Sequence, residues 1–452
     1  MQLLVDDAAL ALPVTQWPLP RAAVAQALDA LPALLPPALD EARAQVRAEL
    51  RQAAAPGAAL TLRGPQEGLA GFGDDALPGS SGAVRSGSYQ GDNVAAQLGL
   101  RLGRPDESDG GEVNARLEGS AIAGEWHGVQ LQAWSRRGWW GPGWQNSLVL
   151  GNNAPALTGV GLQRALAGPS TSPWLSWLGP WNLEFFVAQL DDVAQPARPF
   201  LIGNRLTLRP LPGLELGLSR TAQWGGQGRE QSLRSFFEAL TGSGTNATPD
   251  DAQAGIDPAS QLAGFDLRQR CPSSLRCAGY LQLMGEDLAG GLPSRYMGLY
   301  GIEAWSADGR HRWFGELAET GCRMPIGKET FPSCAYRNYA YPGGYVSARR
   351  WLGAGVGPDS RVLTLGWLDS AAQRTLRLHW GTVGSRIGTY SAASDDPQTS
   401  GHLIGIAARQ AFRWGSLVVE PELSWLRIRA PAGAQVEARL GVTVSLAAGG
   451  TP

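Results

Sequence analysis

The chain has 452 residues, 43% of them hydrophobic and only 17% charged, with a formal net charge of −2. Apolar and aromatic content this high excludes a disordered chain, a near-neutral balance leaves no basic field for nucleic acid, and the lack of any run of about 18 apolar residues excludes helical membrane spans. Glycine, at 60 residues, is about twice as common as usual but follows no Gly-X-Y period, so a collagen is excluded too.

The N-terminal part reads as helical. Pro20 opens a segment over Arg21–Leu31 in which Val24, Ala27, Leu28 and Leu31 recur at helical spacing. A Pro-rich turn, LPALLPP, leads to a second segment over Leu39–Arg51 with Leu39, Ala42, Val46 and Leu50 on one face. Ala55-Pro56-Gly57 ends this hairpin, which sets a boundary between residues 1–56 and 57–452. The narrow apolar stripes suit a cap over one mouth of a larger domain; a docking site for export machinery is the second reading.

From Leu60 onward the period changes to two. Leu98, Leu100 and Leu102 alternate with glycine and arginine, Leu214, Leu216 and Leu218 with Glu215, Gly217 and Ser219, and Leu440, Val442, Val444 and Leu446 with Gly441, Thr443 and Ser445. Such strands present one apolar and one polar face. Short connectors (Gly91–Asn93, Gly124–Gly128, Leu211–Gly213, Ser306–Arg310, Asp369–Gln373, Phe412–Ser416) fall at one parity. Long ones (Arg137–Gly159, Trp224–Gln261, Thr320–Ser360, Gly384–Gly401) fall at the other, and about eighteen candidate strands lie between them. Outer-membrane barrels have short turns on the periplasmic side and long loops outside. In lipid every backbone polar group must be paired, so such a sheet must close, with its apolar face outward.

Cys271 and Cys277, and Cys322 and Cys334, are spaced for two short-loop disulfides and hence for an oxidising compartment; four free thiols is the other reading. Neither pair has zinc-site spacing, and the four histidines are scattered, so no metal is expected. The opening MQLLVDDAALAL lacks the basic start of a leader, and we expect a mature form from which the leader has been trimmed.

Several long runs carry a resemblance: TQWPLP (Thr15–Pro20), GWWGPGWQNSLVLGNN (Gly138–Asn153), PALTGVGLQRA (Pro155–Ala165), SWLGPWNLEFFVAQL (Ser176–Leu190), Gly203–Arg229, QLAGFDLR (Gln261–Arg268) and LMGED (Leu283–Asp287). In their order and length they resemble the Wzi capsule-assembly family of outer-membrane proteins, from Trp17 to about Leu446. The resemblance implies an all-β, 18-stranded antiparallel outer-membrane β-barrel with a small N-terminal periplasmic α-helical bundle. It also implies a non-enzymatic, lectin-like role: binding and anchoring capsular or exopolysaccharide at the cell surface, without a cofactor. A monomer in contact with outer-membrane lipid and lipopolysaccharide is expected. A sugar-conducting porin is the alternative.

Glycan recognition uses aromatic faces for sugar C–H surfaces and planar donors for hydroxyl and carboxylate groups. Two loops have that composition. Residues 224–261 carry Trp224 and Arg229, with Arg234, Phe236 and Phe237; residues 320–360 carry Tyr336, Arg337, Tyr339, Tyr341 and Tyr345. These are the candidate glycan contacts; the competing reading packs the same aromatics into the barrel mouth as a plug. Trp139, Trp140 and Trp144 suit a structural fold-back, and Trp174, Trp177 and Trp181 a rim girdle. The acidic groups Asp106, Glu107, Asp109 and Glu112, and the pairs Asp191-Asp192 and Asp250-Asp251, read as solvated. No GxSxG elbow or P-loop is present.

Overall fold

The computed structural model describes residues 1–8, 10–103, 114–191, 196–243, 259–272, 275–285, 288–289, 292–293, 295–322, 334–338, 340–384, 387, 400–431 and 433–446. Period-two alternation becomes a single antiparallel sheet. Its first strand, Gly57–Arg63, pairs on one side with Ser81–Arg85 and on the other with the last, Gly433–Leu446, so the sheet forms a closed barrel. Several strands continue past a short interruption, as Val94–Gln97 does into Gly99–Gly103 and Gly401–Gln410 into Phe412–Trp414.

Alternation also decides which residues face in. Leu365, Leu378 and Trp380 are exposed on the outer wall, Trp380 at 68%, whereas their neighbours Thr364, Arg377 and His379 are buried. The same inversion holds around the ring: Leu60, Ile122, Leu131, Val160, Leu218, Ile302 and Leu440 face out, while Gln132, Glu184, Arg205, Asp266, Glu303 and Glu316 face in. An apolar outside around a charged inside is the reverse of a water-soluble fold and the arrangement lipid demands. Placing arginine at Leu365 should therefore cost about 2–4 kcal/mol if that position lies near the bilayer midplane. Urea unfolding in lipid vesicles measures it; a neutral result would remove lipid from this face.

Local chemistry fits this frame. Leu211 and Leu214 face each other across a two-residue hairpin made by Pro212 and Gly213. Gly213 has φ +80°, which glycine adopts without penalty. Part of the glycine excess is spatial. A Cβ on Gly301 would lie 2.1 Å from the Tyr280 ring, and one on Gly366 would lie 2.0 Å from that of Phe314. Bulky rings facing the interior thus rest over bare backbone on the next strand.

Helices α1 (Gln2–Asp7), α2 (Arg21–Asp29) and α3 (Pro37–Ala54) cover one end of the barrel. Their core is Leu4, Leu10, Leu12, Val24, Leu28, Leu39 and Val46, with Ala167 of a barrel connector joining them. Helices α2 and α3 follow the sequence pattern; α1 and the strap behind it do not. Asp6 lies inside the barrel end against Arg268 and Arg312, and Gln16–Trp17 pairs with Trp139–Trp140. Most connectors at the helical end are tight, including 127–128, 212–213 and 415–416. One departs from the expected parity: 165–180 is long at the helical end. The long one carries a 3-10 turn, Ser176–Leu178, with Trp174 and Trp177 exposed as rim residues.

Candidate functional site: the filled mouth of the barrel

At the end opposite the helices, loops fold into the barrel. The run 138–153 enters as a hairpin gripped from the wall. Glu316 accepts from the backbone N–H groups of Trp144 (2.7 Å), Gln145 (3.1 Å) and Asn146 (2.7 Å), and from the Tyr280 hydroxyl (3.0 Å). Gln282 accepts from the N–H of Leu148 and donates to the carbonyl of Trp140, 2.8 Å each. On the strap, Glu215 accepts from the N–H groups of Val14 and Thr15, 2.7 Å each. Arg205, wholly buried, joins Asp266 and the Thr15 carbonyl. Buried polar groups carry a large cost when unpaired, so these wall side chains define one seating for each loop.

A second layer is ionic. Asp75, on the segment between the first two strands, receives Arg101 (2.6 Å), Arg137 (2.7 Å) and Arg63 (3.3 Å). Asp74 pairs with Arg377 and Arg409, and Glu67 takes a two-pronged grip from Arg350 at 2.8 and 3.0 Å. Burial pushes the Asp75 carboxyl up, but the guanidiniums of Arg137, Arg101 and Arg63 outweigh it and hold it well below the usual carboxylate range. The linkage has one sign. A carboxyl whose folded value is depressed stabilises fully above its unfolded value, near 3.8, and that contribution is lost as pH falls through the lower folded value. The native protein should therefore lose this contribution only below pH 3.8, and Asp75→Asn should flatten that part of the curve. Thermal unfolding in detergent between pH 7 and pH 2 is the check.

The tyrosines expected to meet a glycan occupy the centre of this filling. Tyr336 is 1% exposed, stacked between Tyr345 and Trp351, and its hydroxyl donates to the Leu148 carbonyl at 3.0 Å. The Tyr341 hydroxyl donates to the Gly225 carbonyl, and that of Tyr345 bonds the Thr221 hydroxyl at 2.9 Å. Tyr336, Tyr341 and Tyr345 are buried, and their rings tie the loop 320–360 to the hairpin 138–153 and to the wall. Trp224 is not at the mouth either; it ends its strand on the outer wall, with its indole N–H on Ser235 at 3.1 Å. Arg229 remains at the rim, half-buried, 4.8 Å over the Tyr341 ring and donating to the Ala340 carbonyl. Arg337 is half-buried. Tyr339 and the acidic cluster 106–112 lie outside the described residues.

Both disulfides form, Cys271–Cys277 between the strands Ala259–Arg270 and Cys277–Gly285 at the helical end and Cys322–Cys334 in the loop that carries the tyrosines, with Cα separations of 5.2 and 6.0 Å. Among the described residues no cluster of histidine, cysteine or acidic groups could hold a metal ion. Among the described residues no helix is long and apolar enough to cross a membrane. Sequence reasoning missed the wall residues Glu316, Gln282, Glu215 and Arg205. Their signal was present as polar residues alternating within apolar strands, but alternation does not say which loop each one grips.

A closed sheet with a lipid-compatible exterior, a filled charged interior and a helical cap defines an outer-membrane β-barrel. The model of the family described as capsule assembly protein Wzi matches residues 42–421, and the chain belongs to that family. Among solved structures it is similar to Wzi of Escherichia coli, described as an outer-membrane, carbohydrate-binding β-barrel involved in group 1 capsule assembly. The TM-score is 0.82 at 23% identity, covering 98% of this chain and 96% of that one. It is also 38% identical over 191 residues to an uncharacterized 55.8 kDa protein in the cps region of Klebsiella pneumoniae. That match spans 41% of this chain and 36% of the relative's length.

Proposed function

We propose that this chain is a non-enzymatic, lectin-like protein that holds capsular or exopolysaccharide at the cell surface. The observation that carries this reading is family membership across residues 42–421, joined to a mouth built from arginine- and tyrosine-bearing loops. The description of the Escherichia coli barrel as carbohydrate-binding supports the same reading. Counting the paired segments among the described residues through their short interruptions, we read eighteen crossing strands, with both ends of the barrel chain on the helical side. We place that side in the periplasm and the filled mouth outside, and divide the chain at residues 56 and 57. The first seventeen residues reach across that division into the barrel.

Contacts to the glycan come from the rim, where Arg229 and Arg337 carry planar donors suited to acidic sugars or sugar hydroxyls. Purified barrel in detergent should retain capsular polysaccharide from its own host in a pull-down. Removing both arginines should weaken binding about tenfold or more, as loss of charge-assisted hydrogen bonds does. Undiminished retention would move the site elsewhere on the mouth, and no retention by the unaltered protein would end the lectin reading. The filled interior speaks against a conducting sugar porin.

A further inference from the structure

We infer that helix α4 (Leu233–Thr241), in the loop after the strand ending at Trp224, is a lipid-contacting element clamped to the outer wall of the barrel, with Leu233 and Phe237 among the acyl chains of the outer leaflet. The inference rests on the membrane placement proposed above. It starts from strand parity. Arg205, Ser219, Thr221 and Gln223 face inward, since Arg205 bonds the strap, Ser219 bonds Arg205, and Thr221 and Gln223 bond the loop 320–360. Their alternating neighbours Ile202, Leu218, Arg220, Ala222 and Trp224 therefore face outward. Helix α4 packs on this outward face: Ala239 meets Ile202, Ala222 and Ala259, with Phe236 and Leu240 alongside. Small side chains on both surfaces let helix and wall approach closely.

The wall also caps the helix. Arg220 would be an unfavourable charge on a lipid-facing strand. Its guanidinium instead donates to the Leu240 carbonyl at 2.8 Å and to those of Ala239 and the Gln261 side chain, which places a cation at the helix C-terminus. Ser232 caps the N-terminus, and Gly242 closes the C-terminus in the left-handed region. The helix is thus fixed to the exterior and does not trail from a loose loop.

Height follows from geometry. The strand Leu214–Trp224, tilted by about 40°, climbs about 25 Å, the height of the apolar band of such barrels. Helix α4 rests on its last two outward residues, Ala222 and Trp224, and so lies at the band's upper edge. Its uncovered face carries two large apolar side chains one turn apart, Leu233 at 80% and Phe237 at 59% exposure, and the paired wall residues Leu218 and Phe265 are exposed as well. Arg234 and Glu238 pair beside them at 2.9 Å. An amphipathic helix at that depth buries its apolar face in the headgroup–acyl boundary. Because the same loop carries Arg229 over Tyr341, seating α4 in lipid anchors the rim of the mouth.

All four native cysteines are in disulfides, so one introduced thiol can be labelled alone. Phe237→Cys and Leu233→Cys in the full chain, each carrying an environment-sensitive fluorophore, would be reconstituted into phosphatidylethanolamine–phosphatidylglycerol vesicles containing acyl-chain nitroxide lipid. Leu365→Cys on the wall and Leu34→Cys between α2 and α3 give the lipid and water references. Labels at 237 and 233 should lose about half their emission, as the one at 365 does, since interfacial helices reach 5–10 Å into that boundary, while the label at 34 keeps its own. Quenching at 365 with none at 237 or 233 overturns the inference alone. No quenching at 365 overturns the membrane placement and the inference with it.

Discussion

Replacing Arg268 with methionine is expected to lower the stability of the barrel by about 3–5 kcal/mol, the loss typical when one partner of a buried ion pair is removed. Arg268 reaches Asp6 at 2.7 and 2.9 Å and Glu303 at 2.6 Å, and Arg312, on the strand His311–Glu319, bridges the same two carboxylates. Without Arg268, two buried negative charges share a single cation. The N-terminal helix α1 has no side-chain cap and only six residues, so these ion pairs, with the burial of Leu4 and Val5, are what seat it. Arg268→Lys should recover only part of the loss, because one ammonium cannot grip both carboxylates as the guanidinium does. The temperature at which the folded form disappears from a heat-modifiability gel reads the effect. An unchanged transition would mean that α1 is held by its apolar contacts alone.

Glu316→Leu should release the hairpin 138–153 and turn a nearly silent barrel into one that conducts intermittently. The substitution leaves the N–H groups of Trp144, Gln145 and Asn146 without their acceptor, at about 1–3 kcal/mol for each buried donor. Water entering the interior is the cheapest way to satisfy them. Glu316→Gln keeps an acceptor and should stay closer to the unaltered protein. Planar-bilayer recordings at fixed protein density separate the three forms; equal conductance in all of them would show that the hairpin is locked from elsewhere.

Much of the wall was legible in the sequence because a strand in lipid has one oily and one wet face. The runs around Leu98–Leu102, Leu214–Leu218 and Leu440–Leu446 therefore announce themselves, and Pro212-Gly213 announces its turn. Helices α2 and α3 were legible through their apolar stripes. Helix α1 was not, since Asp6 and Asp7 mark no helix end and find their partners more than 260 residues away. Helix α4 went unread inside a long loop, and nothing local says that Ala222 and Ala259 offer it a seat outside the barrel. The mouth was ambiguous in composition: tyrosine and arginine serve a recognition surface and a hydrogen-bonded filling equally well. Only the positions of Leu148, Gly225 and Thr221 assign Tyr336, Tyr341 and Tyr345 to the filling.

The N-terminal strap has a kinetic consequence. Asp6 and Val14 complete their bonds with Arg312 and Glu215, 306 and 201 positions downstream. The opening stretch of the polypeptide must therefore wait, uncommitted, until roughly two thirds of the ribbon has been laid down around it. Chains dominated by such distant pairings fold slowly. The residues at the head of this sequence are thus among the last to find their place, and the polar heart of the molecule sets only after its oily shell is largely in place.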